Sequence, residues 1–491
     1  MDLIKEIISI DVKSDIPVYI QIANAFIQHI ANGRLRKGLR LPGSREAAAM
    51  LHINRMTVVA AYNELDAQGW IETIPKKGSF VRKKLPVLSP QKINQEPVLY
   101  SLPQKTLFYF HEEAGSTATG DFPAADKLIF NDGFPDPRIA PVEQLISSMR
   151  SSARLGTNRK FLMYGGPQGT ILLREALSSF LADTRGLPAS TDNILITNGA
   201  QMGLYIAASI LITPGDHVIV GEPGYVGANN TFQQLGARLI RVPVDEAGID
   251  VAQIADICKK KPIKIVYVIP HHHNPTTVTL SPARRIQLLE LSVKYKFAII
   301  EDDYDYDFHY SSKPILPIAS LDQYGSVIYI GTFSKTIAPA IRAGFVVAPQ
   351  NFIRSASYFR KIMDTQGDSL MENALAGLFQ DGTIARHIKR SVKLYKERRD
   401  HFCNLLKDEL SDHVSFKIPD GGMSVWATFL TADLATVATK ALKQDLILSN
   451  GKKYDSPTVS YNSTRLGFTS LHQKEQEKAV KILQQILSDK H

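Results

Sequence analysis

Between residues 128 and 491 the chain returns again and again to short apolar, β-prone runs, at 193–197, 217–221, 239–244, 264–270, 297–301, 327–331 and 344–348, and helical stretches separate many of them. This alternation constrains the fold more than any other feature. Parallel strands need a long crossover, usually a helix, and strands covered on both faces read as continuous apolar runs. The pattern predicts an α/β domain with a mostly parallel sheet. It shows no repeat of fixed period and no low-complexity tract. No run approaches the roughly 18 apolar residues of a membrane helix. The start, Met-Asp-Leu-Ile-Lys-Glu, lacks a basic region leading into an apolar one, so no signal peptide is expected. The two cysteines, Cys258 and Cys403, have no metal-type spacing. They exclude a disulfide framework and point to a reducing, cytoplasmic setting.

A chain of 491 residues has room for more than this domain. Its net charge of +9 is concentrated: residues 34–84 hold 11 Lys/Arg and 4 Asp/Glu, a balance of +7. Such a patch is the electrostatic footprint of a nucleic-acid binder. Val18, Ile22, Phe26 and Ile30 form one helical stripe between Pro17 and Gly33. Ser44 is the expected N-cap of a short second helix with Ala47, Ala48 and Leu51. Asn54 caps a third, carrying Val58, Ala61, Tyr62 and Leu65 and ended by Gly69. Two β-prone runs, 70–74 and 78–82, flank the turn Pro75-Lys76-Lys77. Three short helices and a basic hairpin make a winged helix-turn-helix. In such readers the start of the third helix enters the major groove. The expected DNA-binding residues are Arg45, Asn54, Arg55 and Thr57, with Lys76, Lys77 and Gly78 at the wing. Arg55 is equally suited to a guanine edge and to a phosphate. The motifs Leu41-Pro-Gly-Ser-Arg-Glu, Asn54-Arg-Met-Thr-Val and Lys77-Gly-Ser-Phe-Val resemble the GntR-type winged helix, although Gly43 stands where that family usually has a small polar residue.

This gives a DNA-binding domain over 1–82 and a proline-studded linker over 83–127, with Pro86, Pro90, Pro97, Pro103 and Pro123, before the large domain at 128–491. In the large domain four post-strand loops are chemically loaded, and loops in that position usually hold the ligand. Asn198-Gly199-Ala200-Gln201 suits an anion at a helix N-terminus. His271-His272-His273-Asn274 invites a metal reading, but neighbours on an extended segment alternate in direction, and no metal site is expected. Asn274 is the more useful residue. Glu301-Asp302-Asp303-Tyr304 suits either a carboxylate metal site or a carboxylate and phenol on a heteroaromatic ring; Asp302 and Tyr304 face together and Asp303 away. Thr332-Phe-Ser334-Lys335 offers a lysine that desolvation makes nucleophilic, with Arg342 beyond it.

The order Asn274, Asp302, Lys335, Arg342 resembles the aspartate-aminotransferase-like, fold-type I enzymes, which use pyridoxal 5'-phosphate (PLP). The resemblance implies that Lys335 forms the Schiff base and Asp302 pairs with the pyridine nitrogen. Tyr304 and Asn274 would bond the ring hydroxyl, and Tyr225 would stack on the ring. Gly199, Ala200, Gln201, Thr332, Ser334 and Arg342 would bind the phosphate. Tyr164 matches the tyrosine that reaches the partner subunit's cofactor, and Arg465 the arginine that grips a substrate carboxylate. A GntR-type winged helix joined to such a domain resembles the MocR/GabR regulators. That implies a homodimer, head-to-tail, which binds promoter DNA and senses an amino compound or PLP itself. The alternative is an active aminotransferase with an accessory DNA-binding domain.

Overall fold

The computed structural model describes residues 8–11, 14, 16–85, 106, 107, 109, 127–154, 162–310, 315–456 and 458–488. The chain divides into two compact units, Met1–Ser116 and Thr117–His491. Nearly all of the predicted linker, including its five prolines, lies outside the described residues, as do Phe108 and Phe110. Among the described residues no helix is long and apolar enough to cross a membrane, and Cys258 and Cys403 are buried free thiols.

In the first unit three helices, α1 (Val18–Ala31), α2 (Ser44–Leu51) and α3 (Arg55–Ala67), precede a hairpin of β1 (Ile71–Ile74) and β2 (Gly78–Val81). The stripes close on one core: Ile22, Phe26, Val58 and Leu65 are all fully buried, and the Phe26 ring meets Tyr62 edge-on at 5.8 Å. Asn54 caps α3 as its sequence predicts, its Oδ1 accepting from Met56 N–H at 2.8 Å. Ser44 does not cap α2. Gly43 occupies the N-cap and offers no side chain, so Ser44 becomes the first helical residue. Its hydroxyl instead accepts from Arg55 Nε at 3.3 Å, tying the two helices together. So small a core tolerates little loss. Leu65→Ala is expected to destabilise this unit by about 2–5 kcal/mol, comparable with a small domain's whole stability. Urea melts followed by Trp70 fluorescence would show it as an early transition.

The second unit opens with β3 (Leu128–Phe130). Then come β4 (Ile194–Thr197), β5 (His217–Glu222), β6 (Arg238–Asp245), β7 (Gly248–Ile249), β8 (Ile265–Val268), β9 (Ala298–Asp303), β10 (Val327–Thr332) and β11 (Gly344–Val347). They form an eight-stranded sheet in the order β4-β11-β10-β9-β8-β5-β6-β7. The pairs from β10 through β9, β8 and β5 to β6 are parallel, while β11 runs antiparallel to both its neighbours. All seven predicted runs are strands of this sheet. Because β11 is reversed, its first residues lie at the same edge as the last residues of β4 and β10. A smaller antiparallel sheet follows, β12 (Val414–Phe416), β13 (Ser424–Phe429) and β15 (Ser463–Gly467). The strand β14 (Leu446–Leu448) pairs in parallel with β3.

Candidate functional site

The C-terminal edge of the parallel strands is where crossover helices begin and leave a crevice. There the sheet opens onto a cavity of about 390 Å³, within the range of small-ligand sites. Each wall comes from a different loop. After β4, Gly199 takes φ 87° and starts the helix Ala200–Leu211 without a side-chain cap. A side chain on Gly199 would collide with Arg342, whose Nη2 would lie 2.9 Å from its Cβ. Arg342 enters from the reversed end of β11 and donates to Asn198 O at 2.8 Å. Ala200, Gln201 and Arg342 line the cavity, and with Thr332 and Ser334 they set uncapped N–H groups, two hydroxyls and a guanidinium around one corner. That is a cradle for an anion. Tyr225, at the start of the helix Val226–Gln234, lines the same space, its hydroxyl 3.4 Å from Gln201 Oε1.

The residues at the C-terminal end of β9 alternate as expected. Glu301 and Asp303 point to one face. Glu301 accepts from Ile318 and Ala319 N–H at 2.8 Å each, and burial pushes its carboxyl up to about 8. Asp303 accepts from Tyr329 OH at 2.8 Å and lies 3.0 Å from His271 Nδ1. Asp302 points the other way, into the cavity, and is 5% exposed. Its Oδ2 accepts from Tyr267 OH at 2.7 Å, while Oδ1 has no partner among the described residues. Burial pushes this carboxyl up to about 7, with the neighbouring acids adding to the effect. A half-satisfied buried carboxylate is costly and calls for a cationic or N–H partner.

Lys335 extends from the end of β10 into the cavity. Its Nζ donates to Gly133 O at 2.6 Å and lies 4.1 Å from the centre of the Phe134 ring. Burial, helped by the positive field of Arg465, pushes the ammonium down to about 7. Arg465, on β15, is 1% exposed. It donates to Asp132 O at 3.0 Å, Pro275 O at 3.4 Å and Tyr304 OH at 3.3 Å. All three acceptors are neutral, so among the described residues the buried guanidinium carries its charge without a carboxylate on it. Tyr304 OH donates in turn to His272 O at 2.9 Å. Asn274 lines the cavity too.

The three histidines part company. His271 meets Asp303 and Ile315 O, His272 meets Asp305 and His309, and His273 meets Thr276. Among the described residues no group of three or more His, Cys, Asp or Glu is placed to hold a metal.

Of the residues predicted for the cofactor and effector, Tyr164 is the one that stands apart. It is 86% exposed, beside exposed Leu162 and Met163, and does not line the cavity of its own chain. Conversely, Asp132, Phe134 and Tyr267 belong to the site and were missed. Asp132 and Phe134 lie in Asn131-Asp-Gly-Phe, which reads only as a turn. Tyr267 had a signal: it sits on an inward position of β8, and a buried phenol usually has a partner.

A family model of class I and II aminotransferases matches residues 129–483, and a model of bacterial regulatory proteins of the gntR family matches residues 18–81. The aromatic-amino-acid aminotransferase 1 of Thermococcus litoralis is 30% identical over 371 residues, 74% of this chain and 89% of that protein. The probable rhizopine catabolism regulatory protein MocR of Rhizobium meliloti is 28% identical over 430 residues, 86% of this chain and 84% of its own. The solved kynurenine aminotransferase of Pyrococcus horikoshii, in complex with PMP, superposes with a TM-score of 0.69 at 30% identity, covering 74% of this chain and 91% of that one. The chain therefore belongs to the aminotransferase class I and II family and carries a gntR-family domain ahead of it: it is a GntR-type regulator fused to an aminotransferase-like domain, as in the MocR family.

Proposed function

We propose that this regulator uses PLP, that its winged helix binds promoter DNA, and that the larger unit senses an amino compound or PLP itself. The observation that carries the reading is the single cavity into which Lys335, the unpartnered Oδ1 of Asp302 and the anion cradle at Arg342 all open. The donor set fits the cofactor. Asp302 Oδ1 would take the pyridine N–H, with Tyr267 holding Oδ2 still. Asn274 and Tyr304 would meet the ring hydroxyl, and Tyr225 would stack on the ring. Gly199, Ala200, Gln201, Thr332, Ser334 and Arg342 would hold the phosphate. When bound, PLP supplies an aldehyde that condenses with amines and a ring that withdraws electrons. Lys335 is its attachment point, and its depressed basicity leaves a neutral amine available near pH 7. Arg465 grips an effector carboxylate by paired hydrogen bonds. The protein works as a homodimer, head-to-tail, in which exposed Tyr164 reaches the partner's cofactor.

On the DNA side Asn54, Arg55 and Thr57 stand at the start of the reading helix, Arg45 at the start of the helix before it as a phosphate contact, and Lys76, Lys77 and Gly78 on the wing. Since Asn54 Oδ1 is engaged in the cap, only its amide N–H groups are free to donate. Binding is expected to weaken by orders of magnitude between about 50 and 200 mM salt, as phosphate neutralisation requires. Anisotropy titrations would check this, and a salt-independent affinity would contradict the interface.

A second reading, an active aminotransferase, is favoured by the same lysine in the cavity and by Arg465, which bonds the cavity-lining Tyr304. Visible spectra during titration with PLP, then with single amino acids and amines, separate the two. A band that appears, shifts with one ligand and then holds supports sensing. Continuous bleaching with release of an oxo acid supports turnover. No band at all overturns both.

A further inference from the structure

The first unit carries an exposed arginine that neither the reading helix nor the wing turn includes. Residues 38–41 run antiparallel along β2. Gly38 N–H donates to Val81 O at 2.8 Å, Val81 N–H to Leu39 O at 2.9 Å, and Leu41 N–H to Ser79 O at 2.9 Å. Arg40 forms a β-bridge with Phe80, so its segment lies along the β2 edge of the wing sheet. Its guanidinium lies over Gly78. A Cβ built there would sit 3.3 Å from Arg40 Nε and 3.7 Å from Nη2. Gly78, at φ 109°, thus both makes the turn and leaves room for the arginine.

The neighbouring cations differ in what they are doing. Arg82 is exposed but engaged: Nε donates to Ile71 O at 2.9 Å and Nη2 pairs with Asp66 at 3.3 Å. Arg55 leans on Ser44. Arg40 has no hydrogen bond or ion pair among the described residues. The nearest acid by register is Glu72 on β1, and Phe80 stands between them. A planar guanidinium held on a sheet edge over Gly78, which follows Lys76 and Lys77 in the chain, with no anion on it among the described residues, is shaped for a phosphate.

We propose that Arg40 contacts the DNA backbone, forming with Lys76 and Lys77 a phosphate clamp on the wing. The inference rests on the winged-helix reading above. The test uses the full-length protein and a short duplex of scrambled sequence, with affinity measured by anisotropy over a range of salt. Arg40→Gln is expected to reduce the log–log salt slope by about 0.9 for each protomer engaged, with the melting temperature unchanged. Arg40→Lys keeps the charge and should keep the slope. Arg82→Gln should lower the melting temperature and leave the slope alone. An unchanged slope in Arg40→Gln overturns the clamp while the winged helix stands. A slope loss shared by Arg40→Lys and accompanied by a lower melting temperature also overturns it, since the arginine would then be structural. If the unaltered protein does not bind the duplex in a salt-dependent way, the winged-helix reading itself fails, and the clamp with it.

Discussion

Lys335→Ala protein mixed with PLP is expected to develop no visible band of protein-linked cofactor, and borohydride should fix no cofactor to it. The reason is local. Among the described residues Lys335 Nζ is the one side-chain amine that lines the cavity, between Gly133 O and the Phe134 ring. With its ammonium pushed down to about 7, roughly half is neutral at pH 7, against about one in 2,500 for an ordinary lysine. The sign of the pH dependence follows. Below about 7 the nucleophile is removed by protonation, so capture of the aldehyde should slow roughly tenfold per pH unit. Above that pH the rate should level off. The cradle at Gly199, Thr332, Ser334 and Arg342 is untouched by the substitution, so equilibrium dialysis should still find cofactor bound without a covalent bond. Stoichiometric covalent capture by the variant would show that another amine does the work.

The second large effect is expected at Arg465. Arg465→Gln should raise the dissociation constant of an amino-acid effector by about 10²–10³-fold, or about 3–4 kcal/mol, the usual loss when one partner of a buried charged pair is removed. Amines without a carboxylate provide the control, because they never engage the guanidinium and should change little. The comparison matters because Arg465 has a second duty. It also holds Asp132 O and Pro275 O, so its loss loosens the loop over the cavity. If amino acids and simple amines lose affinity equally, that loop is the whole effect and the carboxylate grip is wrong. Spectral titration of both ligand classes decides it.

The strands were legible because burial on both faces writes an unbroken apolar run. Facing was legible too, since period-two alternation alone separates Asp302 from Glu301 and Asp303. The helix start at Ser44 was misjudged by one residue, because a glycine N-cap leaves no side-chain signal. Asp132 and Phe134 escaped for a different reason. Their place in the site depends on pairing between β3 and β14, more than 300 positions apart, and no local pattern encodes such a contact. Arg40 was hidden likewise, since only the bridge to Phe80 reveals that it belongs to the wing.

That β3–β14 pairing also orders events on the ribosome. The loop of Asn131 to Asp136 is held by groups made very late: Gly467 N–H donates to Asn131 O, Asn131 Nδ2 to Ser470 Oγ, and Arg138 pairs with Glu475. The winged helix, with a core of its own, is complete once its last strand has emerged, and domains generally fold in order of synthesis. A nascent chain, or one cut short before residue 446, is therefore expected to recognise DNA while deaf to any effector. A nonsense mutation late in the gene should produce a constitutive DNA binder, not a null.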